Sequence, residues 1–184
     1  MSESFYDHCS AGDLAAVEKH VVDGTVDLAR GLSMAAQAGH RHVVKYLLSQ
    51  GVDEKSPQVV NALYLASQNG HTPVVRLLLD HQVPVNAGAY FGRRALHAAA
   101  THGRVQVIRL LLAAEAECDA RDDDGGTPLA EAVLNKQYEA AQALVAAGAD
   151  INLQAEDGTS PLSMALERDD QTMVTLLTGT KPAR

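Results

Sequence analysis

Residues 92–120 read Gly-Arg-Arg-Ala-Leu-His-Ala-Ala-Ala-Thr-His-Gly-Arg-Val-Gln-Val-Ile-Arg-Leu-Leu-Leu-Ala-Ala-Glu-Ala-Glu-Cys-Asp-Ala. The pattern predicts two short antiparallel helices. The first, about Ala95 to Thr101, is Ala-rich, so a neighbouring backbone can approach it closely. Gly103 then supplies a left-handed turn that a β-carbon would disfavour. The second helix, from about Val105, is apolar almost all round; only Gln106, Arg109 and Ala113 make an outer stripe. A surface helix over one globular core would carry a wider polar face. This one requires cover on both flanks.

Copies of the same stretch supply that cover. Leu63, Leu96, Leu129 and Leu162 recur at one constant step, and Gly70 and Gly103 share it. Leu32 with Gly39 is an earlier copy at a slightly shorter step, and Phe5 with Gly12 another, at a step shorter again. The outer stripe recurs as His42, Lys45 and Ser49, as Pro73, Arg76 and Asp80, and as Glu139, Gln142 and Ala146. A period of about 33 residues predicts an all-α repeat solenoid in which each helix pair buries its apolar surface only against its neighbours. About six units are expected, near residues 1–24, 25–51, 52–84, 85–117, 118–150 and 151–180, with a short frayed tail at 181–184.

The residues at these positions carry a resemblance. Thr127-Pro128-Leu129, Ser160-Pro161-Leu162, Ala95-Leu96-His97-Ala98-Ala99-Ala100, Ala38-Gly39-His40, Asn69-Gly70-His71, Val43-Val44-Lys45-Tyr46-Leu47-Leu48 and Gly148-Ala149-Asp150-Ile151-Asn152 together resemble the ankyrin repeat. The resemblance implies a curved stack of helix-turn-helix units with projecting β-hairpin loops. It also implies protein recognition on a concave face formed by loop tips and first helices. Residues projected there by their repeat positions are Gln68 and Asn69, Tyr90, Phe91 and Arg93, Thr101 and His102, Arg121, Asp123 and Asp124, and Asn135.

Charge is unevenly distributed. Through Leu112 there are ten Lys/Arg against nine Asp/Glu, and from Ala113 onward five against fourteen, within a net charge of −8. An acidic field of this size repels nucleic-acid phosphate and anionic membrane surfaces, and favours a basic surface on a partner protein. No apolar run approaches the roughly 20 residues that span a bilayer. The first residues show neither a basic region nor an apolar stretch, so no secretory signal is read there. The expectation is a cytoplasmic protein, monomeric on its own.

Individual connections depart from the pattern. Gly24-Thr25-Val26-Asp27 leaves room only for a tight turn, and residues 51–58 lack the Gly before the next helix, predicting an irregular hairpin. Tyr90 and Phe91, adjacent in a chain with few aromatics, fall at a loop tip, where the alternatives are a partner contact and local packing. In 121–126 one Asp, Asp122, is expected to close the turn, leaving Asp123 and Asp124 to solvent or partner. Thr127-Pro128 and Ser160-Pro161 read as helix starts, a hydroxyl capping free N–H groups and Pro presetting the first turn. Lys136 stands where other units have the turn Gly and is expected to hold a left-handed conformation.

Chemistry of other kinds is sparse. His40, His71 and His97 fall where the repeat uses His for structural hydrogen bonds, and no Cys/His group has zinc-ligand spacing. Cys9 and Cys118 read as reduced packing residues several layers apart. No nucleophile elbow, phosphate loop, metal site or cofactor motif is present. The leading reading is a non-enzymatic binding module, adaptor or inhibitor. Its alternatives are an enzyme or ligand-binding protein with a polar site near His102 and Asp123, and a purely structural scaffold.

Overall fold

The computed structural model describes residues 4–22, 24 and 26–179. Those residues form twelve α-helices: α1 (Phe5–Ala11), α2 (Leu14–Val22), α3 (Leu28–Ala38), α4 (Arg41–Ser49), α5 (Pro57–Asn69), α6 (Thr72–Asp80), α7 (Ala95–Thr101), α8 (Val105–Ala113), α9 (Pro128–Leu134), α10 (Tyr138–Ala146), α11 (Pro161–Glu167) and α12 (Gln171–Thr178). Each odd-numbered helix packs on the even-numbered helix that follows it. Odd helices also stack on odd ones along the chain, and even on even, giving two rows of helices. The two helices read from residues 92–120 are α7 and α8, and Gly103 between them has φ 64°.

The core is a set of columns rather than a centre. Leu32, Leu63, Leu96 and Leu129 are fully buried at equivalent places in the first row; Leu162, in the last pair of the described residues, is only partly buried, α11 packing on α9 on one side. Ala35, Ala66, Ala99, Ala132 and Ala165 make a second buried column, small enough to let α3, α5, α7, α9 and α11 pack closely. Leu47, Leu78, Leu111, Leu144 and Leu177 do the same for the second row. In α1, Phe5 takes the leucine position, and the neighbouring Gly31 gives up its β-carbon to make room: a Cβ there would lie 2.7 Å from Phe5 Cζ.

A ladder of side chains ties each layer to the one before. His40 Nε2 lies 2.9 Å from the Ser10 carbonyl oxygen, His71 Nε2 3.0 Å from that of Gln37, and Arg104 Nε donates to that of Gln68 at 3.0 Å. Gln137 Nε2 reaches the Thr101 carbonyl at 3.4 Å, and Arg168 Nη1 that of Leu134 at 2.9 Å. These carbonyls end the first helix of the preceding pair and have no partner within their own helix. The ladder also explains the turn glycines. A β-carbon at Gly12 would meet the His40 ring at 2.6 Å, and one at Gly39 the His71 ring at 2.7 Å.

The loops differ from β-hairpins. Among the described residues there is no strand. Each late connection is instead a turn closed by two main-chain bonds: Ala89 N–H to Arg93 O (2.8 Å) with Arg93 N–H to Tyr90 O (2.9 Å), Asp122 N–H to Gly126 O (3.0 Å) with Gly125 N–H to Asp122 O (3.0 Å), and Ala155 N–H to Thr159 O (2.8 Å) with Gly158 N–H to Ala155 O (3.0 Å). One further bond joins each tip to the next, Asp123 N–H to Phe91 O and Glu156 N–H to Asp124 O, both 3.1 Å. A single bond per layer is too few to make a ladder of paired strands. The connection at 51–58 has no such tip at all: Pro57 starts α5 early, so α5 runs 13 residues against 7 in α7. Asp27 caps α3 by accepting the Arg30 N–H at 3.0 Å. Asp23 and Thr25 of the turn before it, like the tail expected at 181–184, lie outside the described residues.

Candidate functional site

The face made by the first-row helices and the loop tips is best defined between α5 and α11. Its main feature is the tip at Tyr90–Gly92, a 3-10 turn. Tyr90 is 51% exposed and meets the Tyr64 ring edge-on, with centroids 5.7 Å apart. Phe91 is 79% exposed and holds φ 51°, in the left-handed region that a bulky residue avoids. Its carbonyl is fixed by the Asp123 N–H. The tip therefore presents one ring half-packed and the other in water.

Behind the tip lies an interlayer cluster. Arg93 Nη2 sits 2.6 Å from Glu131 Oε2 and donates to Thr101 Oγ1 at 2.9 Å. Thr101 Oγ1 is also 2.9 Å from both Glu131 Oε2 and the His97 carbonyl. The side chains of Arg93 and Glu131 are only 25% and 16% exposed, so this pair joins α9 to the chain entering α7. Asn135 belongs to the same group, its Nδ2 donating to the Glu131 carbonyl at 2.8 Å. Glu131 was not among the residues read from the sequence. Its signal was a charge standing where the preceding units have Leu65 and Ala98.

The remaining candidate residues divide between structure and solvent. Gln68 is partly buried and gives its carbonyl to Arg104; Asn69 is exposed and donates to the Gln37 and Leu65 carbonyls. His102 is exposed at the end of α7, with Nδ1 3.1 Å from the Ala98 carbonyl. Arg121 donates to the Gln154 carbonyl at 2.8 Å. Asp122 closes its turn by accepting from the N–H groups of Gly126 at 2.7 Å and Asp124 at 3.2 Å. The side chains of Asp123 and Asp124 are exposed, one layer from Phe91.

His97 shows how the face is held rather than how it reacts. Its Nδ1 accepts the Arg94 N–H at 3.1 Å while Nε2 lies 3.2 Å from the Gly126 carbonyl, an arrangement that suits the neutral ring protonated on Nε2. Burial lowers its pKa, opposed by the Gly126 bond and by Asp122 and Glu131. Burial also pushes the Cys9 and Cys118 thiols up, to about 12 and about 11, which leaves them protonated and poor nucleophiles. Among the described residues no group of three or more His, Cys, Asp or Glu could hold a metal ion. No helix there is long and apolar enough to cross a membrane.

A family model described as ankyrin repeats (3 copies) matches residues 9–89, 32–122 and 86–155. No individual curated protein matches the chain. Ankyrin repeats are generally protein-protein interaction modules and typically non-catalytic, which accords with a face of loop tips and helix ends. The overlapping matches cover most of the sequence, over helix pairs stacked layer on layer, and the chain belongs to the ankyrin repeat family.

Proposed function

We propose that this chain is a non-enzymatic module of six repeat units, an adaptor or inhibitor, that grips a partner protein with its loop tips and first-row helices. The observation that carries the reading is Phe91: a large ring left 79% exposed on a left-handed backbone. Both the exposed ring and the backbone conformation cost free energy in the isolated chain, and a contact that buries the ring offsets the first. Tyr90 beside it supplies a second, partly anchored ring of the kind that dominates interface energetics. Asp123 and Asp124, one layer away, favour a partner with a basic surface, acting mainly on association rate and salt sensitivity. Arg93 and Thr101 serve this surface from beneath by fixing the layer through Glu131.

The test is partner capture from cells expressing the protein. Tyr90→Ala with Phe91→Ala should lose at least one captured partner that Gln142→Ala on the second row retains, while its helical melting curve matches the wild type. Capture of every partner undiminished by the double substitution would make the aromatic tip local packing.

A further inference from the structure

The outer side of the second-row helices carries charges that the tip face does not use. Lys45 on α4, Arg76 on α6 and Arg109 on α8 hold equivalent positions in successive units, and all are exposed. Each directly follows a fully buried residue, Val44, Val75 and Ile108 respectively, so packing fixes the direction in which the cation projects. α4 packs on α6 and α6 on α8. Packed helices lie about 8–10 Å apart, so the three cations form a row with that step.

The row is unlike the chain's other arginines on the tip side. Arg93 and Arg94 pair with Glu131 and Glu117, and Arg104, Arg121 and Arg168 each bond a main-chain carbonyl. Lys45, Arg76 and Arg109 have no hydrogen-bond or ion-pair partner among the described residues. Glu18 and Gln142 occupy the same position in α2 and α10, so the row is confined to three layers. Each of its ends adjoins a groove with apolar walls: Leu14 and Tyr46 beside Lys45, and Val105, Leu112 and Ala143 beside Arg109.

We infer that this row is a second docking surface, for an acidic helical segment of a partner protein. Its carboxylates recur about every 10 Å, which on a helix rising 1.5 Å per residue is every seventh position. Apolar side chains three or four residues from the outer acids share their face and enter the two grooves. Charge complementarity selects this occupant: three exposed cations without an ion-pair partner attract an acidic segment locally, against the chain's net charge of −8 and beside Asp80 on α6 and Glu139 in the groove next to Arg109. The two faces thus take partners of opposite sign, and neither depends on the other.

The experiment uses the whole chain and a labelled helical peptide of about 18 residues with Glu at every seventh position and Leu three residues on. A control peptide of the same composition has its Glu residues adjacent. The spaced peptide should bind at least about tenfold more tightly than the control, and Lys45→Glu with Arg76→Glu and Arg109→Glu should remove that preference. The neutral triple, all three to Gln, should weaken binding by less, and both triples should melt like the wild type. Tyr90→Ala with Phe91→Ala should bind the spaced peptide unchanged. Equal binding of the two peptides, or binding insensitive to both triples, overturns the assignment. So does tighter binding to phosphatidylserine vesicles or duplex DNA at the same salt, or salt-sensitive self-association that the charge reversal abolishes.

Discussion

Lys136 holds φ 54° and Asp169, its counterpart one unit on, φ 51°, where the earlier turns have Gly39, Gly70 and Gly103. At the Lys136 turn the next layer differs from those before it. In the earlier turns a His, Arg or Gln side chain from the following pair lies across the glycine, whereas Asp170 bonds the Tyr138 hydroxyl at 2.9 Å and the Met173 N–H at 2.9 Å. The left-handed backbone remains costly for Lys, so Lys136→Gly should raise stability by up to about 1 kcal/mol, read as a higher denaturation midpoint. Gly31 offers the opposite case. By propensity alone, Ala in the middle of α3 would stabilise by about 1 kcal/mol. Its β-carbon, however, would sit 2.7 Å from Phe5 Cζ and 3.1 Å from Cys9 Sγ, inside a closed core. Gly31→Ala should therefore lower stability by about 1–3 kcal/mol, and a raised midpoint would show that Phe5 can move aside.

Helices and turns respond together through His97, which joins the start of α7 to the turn before α9. Its folded pKa lies below the ordinary value of 6.5, with burial as the main cause. Well above pH 6.5 the ring is neutral in both states and adds no pH dependence. As pH falls through 6.5 the unfolded chain takes up a proton that the folded ring resists, so stability falls as pH drops below about 7. His97→Gln should be less stable at pH 7 yet show a shallower fall across that window in thermal melts at matched salt. At this scale the sequence was most informative where a side chain repeats. The period located α7 and α8 because Leu96, Ala99 and Gly103 each answer a demand that recurs from layer to layer. It was least informative where structure arises once. The early start of α5 at Pro57, the absence of strands among the described loop residues and the Arg93–Glu131 pair all depend on what the adjoining layer offers, and no spacing encodes that. Phe91 was placed at a tip by its register, but neither its φ of 51° nor its 79% exposure is encoded in that register.

For the whole molecule, the decisive fact is that no residue is central. Helices of the first row pack chiefly on the row members on either side and on their own partner in the second row. Stability is then a sum of layer and interface contributions, and damage matters according to how many interfaces it crosses. Leu96 and Leu162 are the same residue at the same repeat position, one fully buried between α5 and α9 and the other partly buried in the last pair. Leu96→Ala should cost about 2–5 kcal/mol, since it opens a cavity that touches two interfaces. Leu162→Ala removes partly exposed apolar surface at one interface and should cost about 1–2 kcal/mol. The shape of the transition should differ as well. Weakening the middle uncouples the layers on either side, so urea unfolding of Leu96→Ala should broaden or split, while Leu162→Ala keeps a single transition and merely frays one end. Circular dichroism at several denaturant concentrations reads both effects at once. Equal losses at the two positions with an unchanged slope would mean that the helices share one cooperative core, and would remove the physical basis for a face free to bind.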